Sequence, residues 1–322
     1  VADQTPIAPG NKVSDQIVGG RRVARFVTEA PIQNFVSIQS ARYAISRETY
    51  KGIDLAVYYD AQHPWNVDRM KGAMKASLDY YQAEFSPYQF RHLRFLEFPD
   101  YAQFAQAYAG TMPWSEGLVF IANYKDPEKI DMVTYVGAHE IGHQWWAHQV
   151  IGADRQGSTM LSESFAQYSA LLVMEQLYGK EQIRKFLKYE LDRYLRARGG
   201  ELIEELPLSR VENQPYIHYQ KGTLAMFWVT WLVTASSMNE PSCNCGPTAR
   251  PSCRSRRANW ATATPTPGAT CRSRSRPSWP PTPSSKVCVR CCKTSPTLTG
   301  SCSRPWRLHC KSCAISVWCW TR

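Results

Sequence analysis

Apolar positions recur at every second residue toward the end of the segment 20–59, where Ile53, Leu55, Val57 and Tyr59 alternate with Asp54, Ala56 and Tyr58. That period belongs to a half-buried strand, so a β-rich portion comes first. At Asn66 the period changes. Val67, Met70, Met74, Leu78, Tyr81 and Phe85 recur at intervals of three and four until Pro87, which predicts a helix capped by Asn66 and stopped by the proline. Two short apolar runs, Leu93 to Phe98 and Leu118 to Ala122, have the length of strands and are separated by turn signals at Pro99, Gly110 and Pro113.

Helices follow. The first is expected from about Pro127 to Val150 and the second from about Met160 to Tyr178, joined by a polar loop with Gly152, Asp154, Gly157, Ser158 and Thr159. A third, Lys180 to Arg198, sets Ile183, Phe186, Leu187, Leu191, Tyr194 and Leu195 on one face and closes at Gly199 and Gly200. The uncharged stretch Gly222 to Asn239 is 18 residues long. That is the short edge of what could span a bilayer, and its Thr, Ser and Asn favour a buried helix instead. No internal repeat of solenoid length is present.

Composition splits this picture in two. All 11 cysteines of the 322-residue chain lie between Cys243 and Cys319. Residues 1–240 carry 24 Lys+Arg and 27 Asp+Glu, a net charge of −3, whereas residues 241–322 carry 14 Lys+Arg and no acid. The net +11 therefore describes only the tail. In those 82 residues Leu, Ile, Val and Phe number six, far below what a packed core needs. Cys310 and Cys313 form a C-x-x-C pair and Cys291 and Cys292 are adjacent, but no second C-x-x-C follows, so a zinc ribbon is not expected. An acid-free mixture of Arg, Ser, Thr, Pro, Cys and Trp is what a GC-rich coding sequence gives out of frame. The tail is expected to be disordered and out of frame, with the change between about Phe227 and Glu240.

The body is a cysteine-free globular unit, which excludes a disulfide-stapled class. Arg21, Arg22 and Arg25 are a solvated cluster without interleaved aromatics, so no nucleic-acid partner is expected. The start at Val1, with no basic segment followed by an apolar one, reads as an internal piece of a longer protein.

The chemistry concentrates at His139, Glu140 and His143, an H-E-x-x-H motif within the first long helix. Histidines four apart sit one turn apart on one helix face, so both imidazoles can reach one metal ion. Glu140 lies about 100° round the helix from His139, beside a metal rather than on it, which suits a general base. Zinc needs a third protein ligand, and Glu163 in the first turn of the next helix can supply it. His148 is roughly 140° from His143 on the same helix and is expected at the surface or behind the ligands. Trp145 and Trp146 are expected in the core or a pocket wall.

With these residues in place, the sequence from about Ile53 to Phe227 resembles the zinc aminopeptidases of the membrane alanyl aminopeptidase type, peptidase family M1 among the gluzincins. The run His139 to Tyr168 is closer still to the peptidase-like portion of bacterial membrane proteins that join such a domain to transporter-type segments. The resemblance implies one Zn2+ held by His139, His143 and Glu163, with Glu140 activating a water. Nineteen residues separate His143 from Glu163, one more than the family's usual eighteen, which lands on Ser162. The match of Leu-Ser-Glu-Ser-Phe-Ala here to the family's Leu-Asn-Glu-Gly-Phe-Ala selects Glu163 and implies a loop one residue longer. Tyr219-Gln220-Lys221-Gly222 resembles the family's Tyr-Glu-Lys-Gly, whose tyrosine donates to the developing oxyanion. Glu116, in Met112 to Leu118, stands where the family's Gly-x-Met-Glu-Asn glutamate binds the substrate amino terminus.

The implied fold is α+β: a thermolysin-like metallopeptidase catalytic domain over 63–235, preceded by the end of a β-sandwich domain over 1–62 and followed by the anomalous tail 236–322. The implied function is removal of N-terminal residues from peptides. A thermolysin-like endopeptidase and a non-catalytic peptide-binding or sensor module of a membrane complex are the alternatives. The resemblance also implies a bacterial parent protein linked to membrane segments.

Overall fold

A computed structural model describes residues 1–124, 126 and 129–238 of the chain. The expectations for the cysteine-rich tail lie outside the described residues from 239 onward.

The scaffold is a four-stranded mixed sheet. Strands β5 (Ala44–Tyr50) and β6 (Ile53–Tyr59) form a hairpin whose turn residues Lys51 and Gly52 both have positive φ, 49° and 81°, the backbone a tight hairpin turn requires. From β6 the chain crosses over through α1 (Val67–Glu84) to β7 (His92–Phe98), which runs parallel to it, and β8 (Thr111–Ser115) pairs parallel to β7. The 53–59 and 93–98 strands and the 67–84 helix thus fall where periodicity predicts them. Met70, Met74, Leu78 and Tyr81 of α1 pack against Leu55, Val57, Leu93 and Phe95 of the sheet. Each such side chain contributes roughly 1.5–3 kcal/mol of burial. On its other side α1 meets α2 (Met132–Gly142), where the Tyr81 hydroxyl donates to the Ala138 carbonyl at 2.8 Å. Helices α3 (Phe165–Tyr178), α4 (Lys180–Gly200) and α5 (Gly222–Met238) complete the layer.

In the N-terminal segment, strands β1 (Thr5–Ile7) and β4 (Gln39–Ala41) pair with each other, and β2 (Asn11–Val18) with β3 (Arg21–Val27), giving two separate two-stranded pieces. Strands β5 and β6, within residues 1–62, share the four-stranded sheet with β7 and β8.

Other corrections are local. Leu118–Ala122 is not a strand: Glu116–Phe120 is a π-helical turn, and the strand lies just before it. Pro113 lies inside β8, which a strand near a sheet edge tolerates. Asn66 makes no side-chain cap to α1; its amide donates instead to the carbonyls of Val119 (2.6 Å) and Ala122 (2.9 Å), holding that turn. The motif helix is shorter than expected. Asp131 caps it by accepting from the Thr134 amide at 3.1 Å, and regular helix ends at Gly142. Ala147 has φ 146° and the chain turns away there. On α4 the buried positions are Ile183, Phe186 and Glu190, while Leu191 and Leu195 are exposed. On α5 Trp228, Val229, Trp231, Leu232 and Val233 are all more than half exposed, so the expected burial does not hold for that face.

Candidate active site

Helix α2 is buried along nearly its whole length, from Val133 to Gly142 with one exception, Val136. Its deep seat fixes the directions of the side chains at its end. His139 and His143 bring their Nε2 atoms to 3.0 Å from each other. Glu163 Oε2 lies 3.3 Å from His139 Nε2 and 3.4 Å from His143 Nε2. These three residues form one of the two groups of potential metal donors among the described residues. Ser162 turns away, its hydroxyl donating to the Thr159 carbonyl at 3.2 Å.

Glu163 sits in a π-helical turn, Met160–Ser164, that leads into α3. Such a turn closes i→i+5 bonds, taking in one residue more than an α-helical turn. That is enough to absorb the extra residue in the spacing from His143. A second π turn, Ile217–Lys221, precedes α5 and carries Tyr219. The Tyr219 ring lies 5.6 Å from that of His139.

The two turns are locked together. The Ser164 hydroxyl donates to the His218 carbonyl at 2.6 Å. Gly222 permits this contact, since a Cβ there would stand 2.4 Å from Ser164 Oγ.

Electrostatics follow from burial and crowding. Burial raises the Glu140 carboxyl above its usual range, against the pull of His139 and His143. Burial opposes charge on Glu163 as well, but contacts with His139 and His143 outweigh it and hold the carboxyl far below its usual range. His143 is disfavoured as a cation by burial, yet Glu163 and Glu140 push it up to about 9. Burial, then the charge and hydrogen bond of Glu163, push the Tyr219 phenol well above its usual value. The phenol therefore keeps its proton.

Several supporting residues escape a reading of the sequence. Gln144, fully buried just after the motif, accepts from the Gly110 amide at 2.8 Å and donates to the Tyr108 carbonyl at 3.2 Å. It ties the motif to the segment bordering β8. His148 lies within hydrogen-bonding distance of the Ala107 carbonyl, 3.2 Å, and reinforces the same junction. Glu190 of α4 is fully buried and accepts from Tyr135 (2.7 Å) and Gln167 (2.8 Å). It joins α4 to α2 and α3. Its one sequence signal is a carboxylate in phase with Ile183 and Phe186 on an apolar face. Trp145 is buried, its indole donating to the Ser86 carbonyl at 3.0 Å.

Glu116 is not gathered with these residues. The end of β8 nearest the motif is Thr111, beside Gly110 and Gln144, whereas Glu116 follows the other end. Five strand residues separate the two ends, roughly 16 Å. Glu116 accepts from the Asp100 amide at 3.0 Å and faces His63. Glu116 therefore stands apart from the three converging donors, after the other end of the strand.

The donor set fits zinc. Two imidazole nitrogens and a carboxylate oxygen are the ligand types of a catalytic zinc site with an open position, and their mutual spacings approach the roughly 3.3 Å of donors on a tetrahedral ion at about 2.0 Å. His143 Nδ1 lies 3.1 Å from the Trp146 carbonyl, an arrangement that leaves Nε2 as the donor. Glu163 Oε2 and Glu140 Oε2 are buried without a hydrogen-bond partner, the state expected of atoms whose partners are a metal and a reactant.

Comparison with known proteins agrees with this geometry. A model of the peptidase family M1 domain matches residues 65–238. The crystal structure of the M1 zinc metallopeptidase from Deinococcus radiodurans is similar at 21% identity and a TM-score of 0.56, covering 72% of this chain and 51% of that one. A glutamate-to-alanine mutant of that peptidase, bound to a Tyr-Ser-Ala substrate, matches at 20% identity and a TM-score of 0.57, covering 73% and 51%. At this identity the likeness speaks for the fold, and the chain spans about half the length of the solved structures it matches. The matched family span contains the three converging donors, Glu140 and Tyr219, and on that match the chain belongs to peptidase family M1, as a zinc metallopeptidase domain of mixed α/β fold.

Proposed function

We propose that this domain hydrolyses peptide bonds with one Zn2+ held by His139, His143 and Glu163, and that it removes residues from the free amino terminus of peptides. The observation that carries the reading is the convergence of His139, His143 and Glu163 within 3.4 Å of one another beside a buried Glu140 and the Tyr219 ring. When bound, zinc supplies Lewis acidity to the scissile carbonyl and to the attacking water.

The chain's own groups do the rest. Glu140, its carboxyl raised by burial, takes a proton from the water and passes it to the leaving amine, so the peptide and water become a carboxylic acid and an amine. Tyr219, held protonated, donates to the carbonyl oxygen as charge develops on it. Glu163 stays ionised because the two imidazoles outweigh its burial. The preference for a free amino terminus rests on the family resemblance.

Paired peptides with free and acetylated amino termini test the specificity. Cleavage of the free form alone is expected; equal cleavage of both would make the domain an endopeptidase.

A further inference from the structure

We propose that His63, Glu97 and Glu116 form a second divalent-cation site, at the end of the sheet away from the motif helix, and that it takes Zn2+. The residues stand where the parallel strands finish: His63 four residues beyond β6, Glu97 next to last in β7, and Glu116 directly after β8. The carboxyl ends of parallel strands are where α/β sheets gather ligand-binding groups.

The side chains are built to converge. Glu97 Oε1 lies 2.5 Å and Glu116 Oε2 3.7 Å from His63 Nδ1, and one donor atom from each residue falls within 4.8 Å of the others. The second oxygen of each carboxylate is pinned by a backbone amide. Asp60 N–H donates to Glu97 Oε2 at 2.6 Å and Asp100 N–H donates to Glu116 Oε1 at 3.0 Å. Each carboxylate is thereby oriented with one oxygen toward the imidazole, the role outer hydrogen bonds play around metal ligands.

Charge points the same way. Two carboxylates beside a neutral imidazole balance a divalent ion, whereas without one they leave net negative charge even when His63 is protonated. Burial raises the Glu97 carboxyl, a sign that this negative charge is costly where it stands. One nitrogen and two oxygens suit zinc better than calcium or magnesium, which take all-oxygen shells. The His63 and Glu116 side chains keep about a fifth to a quarter of their exposure, 21% and 27%, leaving the site open to water on one side.

A simple His63–Glu97 ion pair is the competing account, and zinc counting separates the two. The full chain, its thiols alkylated so that the cysteines take no metal, is dialysed against buffered micromolar Zn2+ and its metal measured by plasma mass spectrometry. The intact chain is expected to hold one ion more than the His63→Gln/Glu116→Gln variant, and a His139→Gln/His143→Gln variant is expected to retain that ion. Equal zinc in the intact chain and the His63→Gln/Glu116→Gln variant would overturn the proposal. Circular dichroism checks that the variants fold, and the single Glu116→Ala variant, altered at a partly exposed position, gives the same count if the double variant does not. The proposal is independent of the catalytic reading, since loss of zinc confined to the His139 variant would support that reading and sink this one.

Discussion

The Tyr219 hydroxyl is the clearest single-atom device in the site, because it can act as an oxyanion donor only while protonated and its surroundings keep it so. Tyr219→Phe removes that donor alone. It should lower kcat by roughly 100–1,000-fold with KM little changed, and steady-state kinetics on a peptide substrate would read a drop below tenfold as evidence against the role. His92 makes a different point. Burial, with the charge of Arg94 beside it, pushes it down to about 3, so it stays neutral in the fold while the unfolded chain takes up a proton near its ordinary 6.5. The unfolded state then binds more protons between about 6.5 and about 3, and stability should fall as pH drops through that window, by up to about 1.4 kcal/mol per unit. Urea unfolding at pH 7 and pH 5 should show a smaller loss in His92→Gln than in the parent chain; equal losses would contradict the assignment. At this scale His139, Glu140 and His143 were legible because one helical turn and a short motif define them, whereas Glu163 was reached through the likeness of Leu-Ser-Glu-Ser-Phe-Ala to the family's run. Gln144 and Glu190 were not, since what makes them matter is a partner 34 to 55 residues away.

Among the elements, the two π turns decide whether the site assembles, because Glu163 stands on one and Tyr219 on the other. Their contact runs through Ser164 and Gly222. A methyl group at position 222 would meet Ser164 Oγ at 2.4 Å and Cβ at 2.8 Å, an overpacking that typically costs about 1–3 kcal/mol. Gly222→Ala should therefore destabilise the domain and reduce kcat more than it raises KM, and adding Ser164→Gly should recover part of the stability. Thermal unfolding of the single and double variants checks this; no recovery would show that the strain lies elsewhere. Helix periodicity foretold α1 and α4 because their apolar residues recur over four or more turns. It could not foretell π turns, which differ from α-helical ones by a single residue. Nor could it place the end of the motif helix at Gly142, whose cap His143 keeps αR backbone and carries no turn signal.

For the molecule as a whole, the sheet gathers chemistry at both ends: the motif and its junction with Gly110 at one, and the His63 cluster at the other. The strand pairing that creates this arrangement is non-local, which is why periodicity alone did not show β6 sharing a sheet with β7 and β8. The same non-locality hid the exposure of α5. No described helix is long and apolar enough to cross a membrane, yet Trp228, Val229, Trp231, Leu232 and Val233 face solvent together. Contiguous apolar surface of this kind promotes association, so Trp231→Gln/Leu232→Gln should raise the monomer fraction in light scattering without altering zinc content; an unchanged fraction would show that this face does not associate. The central claim is that Glu140 moves protons while His139, His143 and Glu163 hold the metal. The most direct test is to compare Glu140→Gln with the parent chain for both zinc content and hydrolysis of an aminoacyl reporter. Equal zinc with turnover lost is the result expected, and unchanged turnover in the variant would contradict the account.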